Sequence, residues 1–280
     1  MRLTTSLQPF LFCLVLLCLT DGFAMSEEPA GEPSFQLDSF SPQKITDEYY
    51  SEGAGSGDID QDGHNDFVYG PHWYAGPSFE TKFEIYPAAP QNREGYADHF
   101  FAWVYDFDND GWQDVLTVGF PGTPAYVYQN PGKPRTSAVW PKKQVLDWVS
   151  NESPQWLQLV GDDRPELVLT RDGFFGYAEV DWDRPFEPWK FTAISGQEAD
   201  RRFGHGLGVG DINGDGRMDV IHANGWLEQP STLSSSKPWI AHQEPFTNAY
   251  GGAEMFAYDV DGDGDSDVIS SLAAHDFGLA

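Results

Sequence analysis

Four short segments of the 280-residue chain repeat one pattern of oxygen-bearing side chains. They read DIDQDGHND from Asp58, DFDNDGWQD from Asp106, DINGDGRMD from Asp211 and DVDGDGDSD from Asp259. The first, third, fifth and ninth positions carry a carboxylate or an amide, and the sixth is glycine. Acids that alternate along a tight loop aim several oxygens at one centre. Ca2+ takes about six to eight oxygens at about 2.3–2.6 Å in a flexible cage. The glycine permits the sharp turn that folds such a loop round an ion. The seventh position need lend only a backbone carbonyl, so its side chain can vary. His64, Trp112, Arg217 and Asp265 stand there. The four loops hold sixteen aspartates, and like charges so close repel unless a cation neutralises them. Four Ca2+ ions would change the formal charge from −28 to −20.

An EF-hand begins with the same acids but needs a bidentate Glu at its twelfth position and helices on both sides. The twelfth residues here are Tyr69, Thr117, His222 and Ser270, and the flanks are strand-like. The EF-hand is excluded on both counts. A fifth, degenerate copy, QLVGDDRPE, begins at Gln158. Gln158 and Val160 replace its first and third acids, and Asp163 replaces the glycine. Only Asp162 and Glu166 keep ligand chemistry, which predicts a metal-free unit.

Histidine is the commonest general base near neutral pH, and the chain has seven. His205 in FGHGLG precedes its acidic loop, on the inner strand near a central channel; His222, His275 and His72 follow the post-loop strands. A histidine bonded within a turn or blade junction is the more economical reading, so no catalytic residue is assigned. No nucleophile elbow, P-loop, HExxH or dinucleotide fingerprint is present. The ten tryptophans read as core before they read as sugar-stacking platforms. With 44 acids against 16 bases, the surface should repel nucleic acid and anionic lipid.

The elements that must hold these loops repeat with them. Successive motifs start 48, 52, 53 and 48 residues apart. Each is followed by an apolar run: FVY at 67–69, VLTV at 115–118, LVLT at 167–170, VI at 220–221 and VIS at 268–270. Glycine, proline and aromatic residues come next, and later a strand-like segment such as KFEIY at 82–86 or WKFTAI at 189–194. Helical periodicity is almost absent. Several short strands in about fifty residues make an all-β repeat of the size of one propeller blade. FQLD at 35–38 is a further strand candidate.

Residues 10–19, FLFCLVLLCL, form an apolar run too short to span a bilayer. Arg2 precedes it and Gly22-Phe23-Ala24 follows, which marks 1–24 as a secretory signal peptide and 25–33 as a linker. The expected location is secreted or periplasmic. Cys13 and Cys18, the only cysteines, lie inside that peptide. A mature chain without disulfides needs another staple, and bound metal is one.

The DxDxDGxxD loops, each leading into an apolar strand that ends in YGP (69–71) or GFP (119–121), resemble FG-GAP/VCBS repeats. Such repeats build the calcium-bearing propeller of integrin α subunits. RFGHGLGVGDINGDGRMDV at 202–220 carries the FG and GD landmarks, and GHGLGVGD and SLAAHDFGLA look like secreted, planctomycete-type bacterial members. The resemblance spans about 34–280. It implies about four Ca2+ ions, held by Asp58, Asp60, Asp62 and Asp66; by Asp106, Asp108, Asp110 and Asp114; by Asp211, Asn213, Asp215 and Asp219; and by Asp259, Asp261, Asp263 and Asp267. The family usually forms seven blades. Five repeats are visible (58–66, 106–114, 158–166, 211–219 and 259–267), which predicts an incomplete ring rather than one closed through FQLD. The function implied is a binding or scaffolding module for a protein or glycan ligand. The alternative is a carbohydrate-active enzyme of lyase or sugar dehydratase type.

Overall fold

The computed structural model describes residues 39–136, 139–234, 237–247 and 252–275. The expected signal peptide, linker and FQLD strand lie outside the described residues. Contacts divide the chain into a unit ending at Gln43, with no regular structure over 39–43, and a unit beginning at Lys44 that holds every strand. No described helix is long and apolar enough to cross a membrane.

The second unit is all-β and β-propeller-like. Strands β1 (Gly55–Gly57), β2 (Asp66–Tyr69), β3 (His72–Tyr74) and β4 (Lys82–Glu84) form the first sheet, in that order. Strands β5 (His99–Tyr105), β6 (Asp114–Gly119), β7 (Thr123–Tyr128) and β8 (Lys142–Val149) form the second. The third holds β9 (Gln155–Leu157), β10 (Glu166–Arg171), β11 (Phe174–Glu179) and β12 (Lys190–Ala193). The fourth holds β13 (Leu207–Gly210), β14 (Asp219–His222), β15 (Gly225–Glu228) and β16 (Ile240–Gln243). In the fifth, β17 (Phe256–Tyr258) pairs with β18 (Asp267–Ile269). Every strand pairing within a sheet is antiparallel, so each sheet is a meander.

The apolar run after each acidic loop becomes the second strand of its sheet. In the second, third and fourth sheets these strands are packed on both faces, which is why they read as continuous apolar runs rather than alternating ones; β6, β10 and β14 are buried almost throughout, whereas β18 is half-buried. Successive sheets share cores. Val68 and Trp73 of the first meet Val115 and Tyr128 of the second. Leu116 and Val127 meet Leu167 and Leu169 of the third, and Val168 and Tyr177 meet Val220 and Leu227 of the fourth. Trp73, Trp140, Trp189, Trp226 and Trp239 are buried, and the other five tryptophans are half-buried. The indoles thus serve the cores first.

The first strand of each sheet has a different chemistry. The β1 sequence is GSG and β13 is LGVG. A Cβ on Gly55 would lie 2.6 Å from the carbonyl oxygen of Ala102 in β5, and one on Gly208 would lie 2.4 Å from that of Met255, beside β17. Glycine is required because the next sheet's backbone occupies the space of a side chain. These first strands converge: Ala54, Ala102, Trp156, Val209 and Phe256 line one common cavity of about 520 Å3. On the fifth sheet Phe256, Tyr258 and Val260 are exposed.

Gly208→Ala should therefore force the fourth and fifth sheets apart, costing about 1–3 kcal/mol by overpacking and lowering the melting midpoint by several degrees. Gly196→Ala, where a Cβ meets nothing within 4 Å, should leave the midpoint unchanged. Equal midpoints for the two variants would contradict this packing of the first strands.

Candidate functional site

All five acidic segments connect the first strand of a sheet to its second, and one carboxylate fastens each of them, buried in the first four sheets and half-buried at Asp267 in the fifth. At the ninth position Asp66 accepts hydrogen bonds from the backbone N–H of Ile59 (2.8 Å) and of Gly76 (2.8 Å). Asp114 accepts from Phe107 (3.2 Å) and Asn130 (2.7 Å). Asp219 does the same with Ile212 (3.1 Å) and Gln229 (2.8 Å). Asp267 accepts from Val260 (2.9 Å). In the degenerate copy Glu166 takes the role, with Leu159 (2.8 Å) and Val160 (3.3 Å). Where both bonds of an aspartate form, one oxygen holds the start of the loop and the other the end of the third strand. Burial pushes Asp114 up to about 8 and Glu166 up to about 7, against the backbone bonds that pull both down. Asp66 and Asp219 are raised for the same reason.

The loop tips share a second pattern. The first carboxylate accepts from the N–H groups of the fifth and sixth residues: Asp58 from Asp62 (3.1 Å) and Gly63 (3.0 Å), Asp106 from Asp110 (3.1 Å) and Gly111 (2.9 Å). Asp211 repeats this with Asp215 and Gly216, and Asp259 with Asp263 and Gly264. Asp110, Asp215 and Asp263 also donate to the third residue, Asp108, Asn213 or Asp261. The N–H of His64, Trp112, Arg217 and Asp265 donates to the fifth-position carboxylate, as Arg164 N–H does to Asp162. Each tip carries two left-handed residues, at the fourth and sixth positions. The sixth has φ of 87°, 92°, 82° and 97° at Gly63, Gly111, Gly216 and Gly264. Asp163 takes φ 66° in the degenerate copy, so that loop keeps its shape without its glycine.

These bonds gather carboxylates. Asp58, Asp60 and Asp62 each offer an oxygen within 4.8 Å of the others, as do Asp106, Asp108 and Asp114, and Asp259, Asp261 and Asp263. Asp66, Asp219 and Asp267 stand outside these groups, with oxygens turned to the backbone. Two loops carry an internal cation. Arg135 donates through Nε to Asp60 (2.5 Å) and through Nη2 to Asp62 (3.0 Å). Arg217 pairs with Asp215 and donates through Nε to the Gln229 carbonyl (2.9 Å). Asp60 nonetheless keeps Oδ1 buried with no partner, an acceptor that suits a bound cation. In the second loop Gln129 Nε2 donates to Asp108 (2.9 Å). Repulsion from Asp263 raises the pKa of Asp265.

A recess of about 470 Å3 lies beside the third and fourth sheets, lined by Asn151, Thr170, Phe175, Asp200, His205 and His222, with His275 also at its wall. His222 ends β14 and stacks on Phe175 at 4.7 Å. Burial drives its pKa down to about 4. Its Nδ1 accepts from Asn224 N–H (3.3 Å), and its Nε2 is buried without a partner. Thr170 Oγ1 and Asn151 Nδ2 are also buried and unpartnered, although Asn151 Oδ1 accepts from Thr170 N–H (3.0 Å). His205 lies two residues before β13 rather than within it, and its Nε2 is 3.1 Å from that of His275. Burial lowers the pKa of His205, while Glu152 opposes the shift. His72 begins β3 and packs edge-on against Tyr50. Three of the four histidines singled out in the sequence thus share one recess.

No protein-family model matches the chain, and no curated protein matches it. Among solved structures it is similar to an Agrocybe aegerita lectin described as specifically recognising non-reducing terminal N-acetylglucosamine. Identity is 18% and the TM-score 0.46, over 80% of this chain and 61% of that one. This chain therefore spans less than two thirds of that structure's length.

The degenerate loop isolates the electrostatics of the fastening carboxylate. Because the folded protein holds the Glu166 proton up to about pH 7, its favourable contribution is complete below the ordinary glutamate range. It is lost as pH rises toward 7. Glu166→Gln keeps an acceptor oxygen and has no charge to bury. Urea midpoints at pH 5 and pH 8 should differ more in the parent than in this variant. An identical pH dependence would contradict the buried-carboxylate reading.

Proposed function

We propose that the protein is a calcium-stabilised, propeller-like binding module of FG-GAP/VCBS type, secreted or periplasmic, whose recess receives a glycan. The observation that carries the calcium reading is the common cradle of hydrogen bonds that orients carboxylates in four loops. Asp58, Asp60 and Asp62 would hold one ion, and Asp106, Asp108, Asp110 and Asp114 a second. Asp211, Asn213 and Asp215 would hold a third, and Asp259, Asp261 and Asp263 a fourth. All-oxygen donor sets on flexible loops suit a hard cation of Ca2+ size. Where Arg135 and Arg217 reach the carboxylates, an entering ion displaces a guanidinium.

The recess supports a glycan over a protein partner. Its wall mixes amide, hydroxyl, carboxylate and imidazole groups with the faces of Phe175 and Phe203. Sugar hydroxyls need the first kind of group and sugar C–H faces the second. A stable protein partner needs about 800 Å2 on each side, more than such a recess presents. The convergence of His205, His222 and His275 is the one observation that favours the enzyme reading, a lyase or sugar dehydratase.

Each ion at 1,000-fold saturation adds about 4 kcal/mol to folding stability. The melting midpoint should rise by many degrees from EDTA to millimolar Ca2+, and an unchanged midpoint would overturn the structural role of the metal. Native mass spectrometry should count four ions. Asp263→Ala should lose one and Asp162→Ala none; a fifth ion in the parent would mean that the degenerate loop also binds. On a glycan array, binding by the parent that is weakened in Asn151→Asp is the expected result. That variant keeps the acceptor oxygen and removes the unpartnered donor. No binding to any sugar would refute the glycan half of the proposal.

A further inference from the structure

Among the described residues, one cluster outside the acidic loops has nitrogen as well as oxygen donors. His205 precedes β13 on the fourth sheet, His275 follows β18 on the fifth, and Glu152 precedes β9 on the third. Glu152 and His205 both stand six residues ahead of their acidic segments, at Gln158 and Asp211. Matching positions in adjacent repeats become neighbours. A backbone ladder fixes them: Glu152 N–H donates to the Gly204 carbonyl (2.9 Å), Phe203 N–H to Ser150 (2.9 Å) and Gly206 N–H to Ala253 (2.8 Å). The two imidazoles meet nearly perpendicular, at 86°, with their Nε2 atoms 3.1 Å apart. Glu152 flanks the same imidazole of His205, with Oε2 3.6 Å from Nδ1. All three residues offer donor atoms within 4.8 Å of one another.

We propose that His205, His275 and Glu152 bind a borderline divalent metal ion of the zinc class at the edge of the recess, with an open coordination position facing it. Two imidazoles and a carboxylate select such ions over Ca2+, which prefers oxygen alone. Zn–N bonds of about 2.0–2.1 Å at a tetrahedral angle place the two nitrogens about 3.3 Å apart, close to the observed separation. Three protein ligands leave the fourth position free. The recess that this position faces carries a second, independent sign of a ligand. His222 Nε2, Thr170 Oγ1 and Asn151 Nδ2 are all buried there without a protein partner. A ligand held on the metal by one oxygen would meet those three groups with its others. The site shares no residue with the acidic loops, so it stands or falls apart from the calcium reading.

The competing explanation is a bare hydrogen bond between two neutral imidazoles, and zinc binding separates the two. The tag-free protein is titrated calorimetrically with ZnCl2 in saturating CaCl2. One Zn2+ per chain is expected, with micromolar or tighter affinity. His205→Gln and His275→Gln should each abolish the isotherm, and Glu152→Gln should weaken it by more than about 100-fold, beyond the loss expected from a mere hydrogen-bond partner of a ligand. His242→Gln, which removes a ring stacked on Trp226, should bind as the parent does. Melting midpoints in Ca2+ check that each variant folds. Co2+ added in place of Zn2+ should give the intense visible bands of a four-coordinate site. No zinc isotherm in the parent would overturn the site, as would one that persists in the His205→Gln, His275→Gln double variant.

Discussion

The acidic loops depend on one fastening carboxylate apiece, buried in the first four sheets. Asp66, Asp114 and Asp219 each satisfy two backbone N–H groups that the fold has taken out of water. Leaving one such donor without an acceptor costs about 1–3 kcal/mol. The two oxygens tie three pieces of chain together: the first residue after the first strand's acid, the start of the second strand, and the turn after the third. The tip of the loop is then suspended from a fixed base. Its first carboxylate can turn the next five residues back upon it, and the remaining acids are left to gather at one point.

The degenerate copy shows which part of the pattern the loop's shape needs and which it does not. Gln158, Val160 and Asp163 replace three positions of the motif, yet Asp163 still takes a left-handed conformation and Glu166 still caps the loop start. Shape survives there without the acids that would hold a cation. The cluster of acids in the other four loops is therefore not required by the backbone. It raises local repulsion, visible in the elevated pKa of Asp265, which only a cation or an arginine relieves. Arg135 and Arg217 supply that relief in two loops from within the chain.

Some of this was legible in the residues and some was not. The loops and the strands after them carry strong signals, acids at fixed spacing and then a β-branched run, and KFE at 82–84 and KFTA at 190–193 emerged as the expected outer strands. The first strands were hidden. GSG at 55–57 has low strand propensity, and it is a strand through its ladder to β2, with β5 packed close against it. The backbone role of the ninth-position acid was not legible, because a backbone acceptor and a cation ligand use the same oxygen atoms; Asp114 bonds two N–H groups and also stands among the gathered carboxylates. The gathering of His205, His222 and His275 needed the order of the sheets. The shared spacing of Glu152 and His205 from their motifs was the available clue, and it means contact only once adjacent repeats are known to be adjacent sheets.

Amide hydrogen exchange tests the fastening most directly, read residue by residue with and without Ca2+. The N–H groups of Ile59, Phe107, Leu159 and Ile212 are bonded to buried carboxylates that need no ion, so they should exchange slowly in EDTA and in Ca2+ alike. The exposed tip N–H groups of Gly63, Gly111 and Gly216 should exchange quickly in EDTA and slow markedly in Ca2+. Fast exchange of the first set in EDTA, at the rate of the tips, would mean that the ion rather than the carboxylate holds each loop to its sheet.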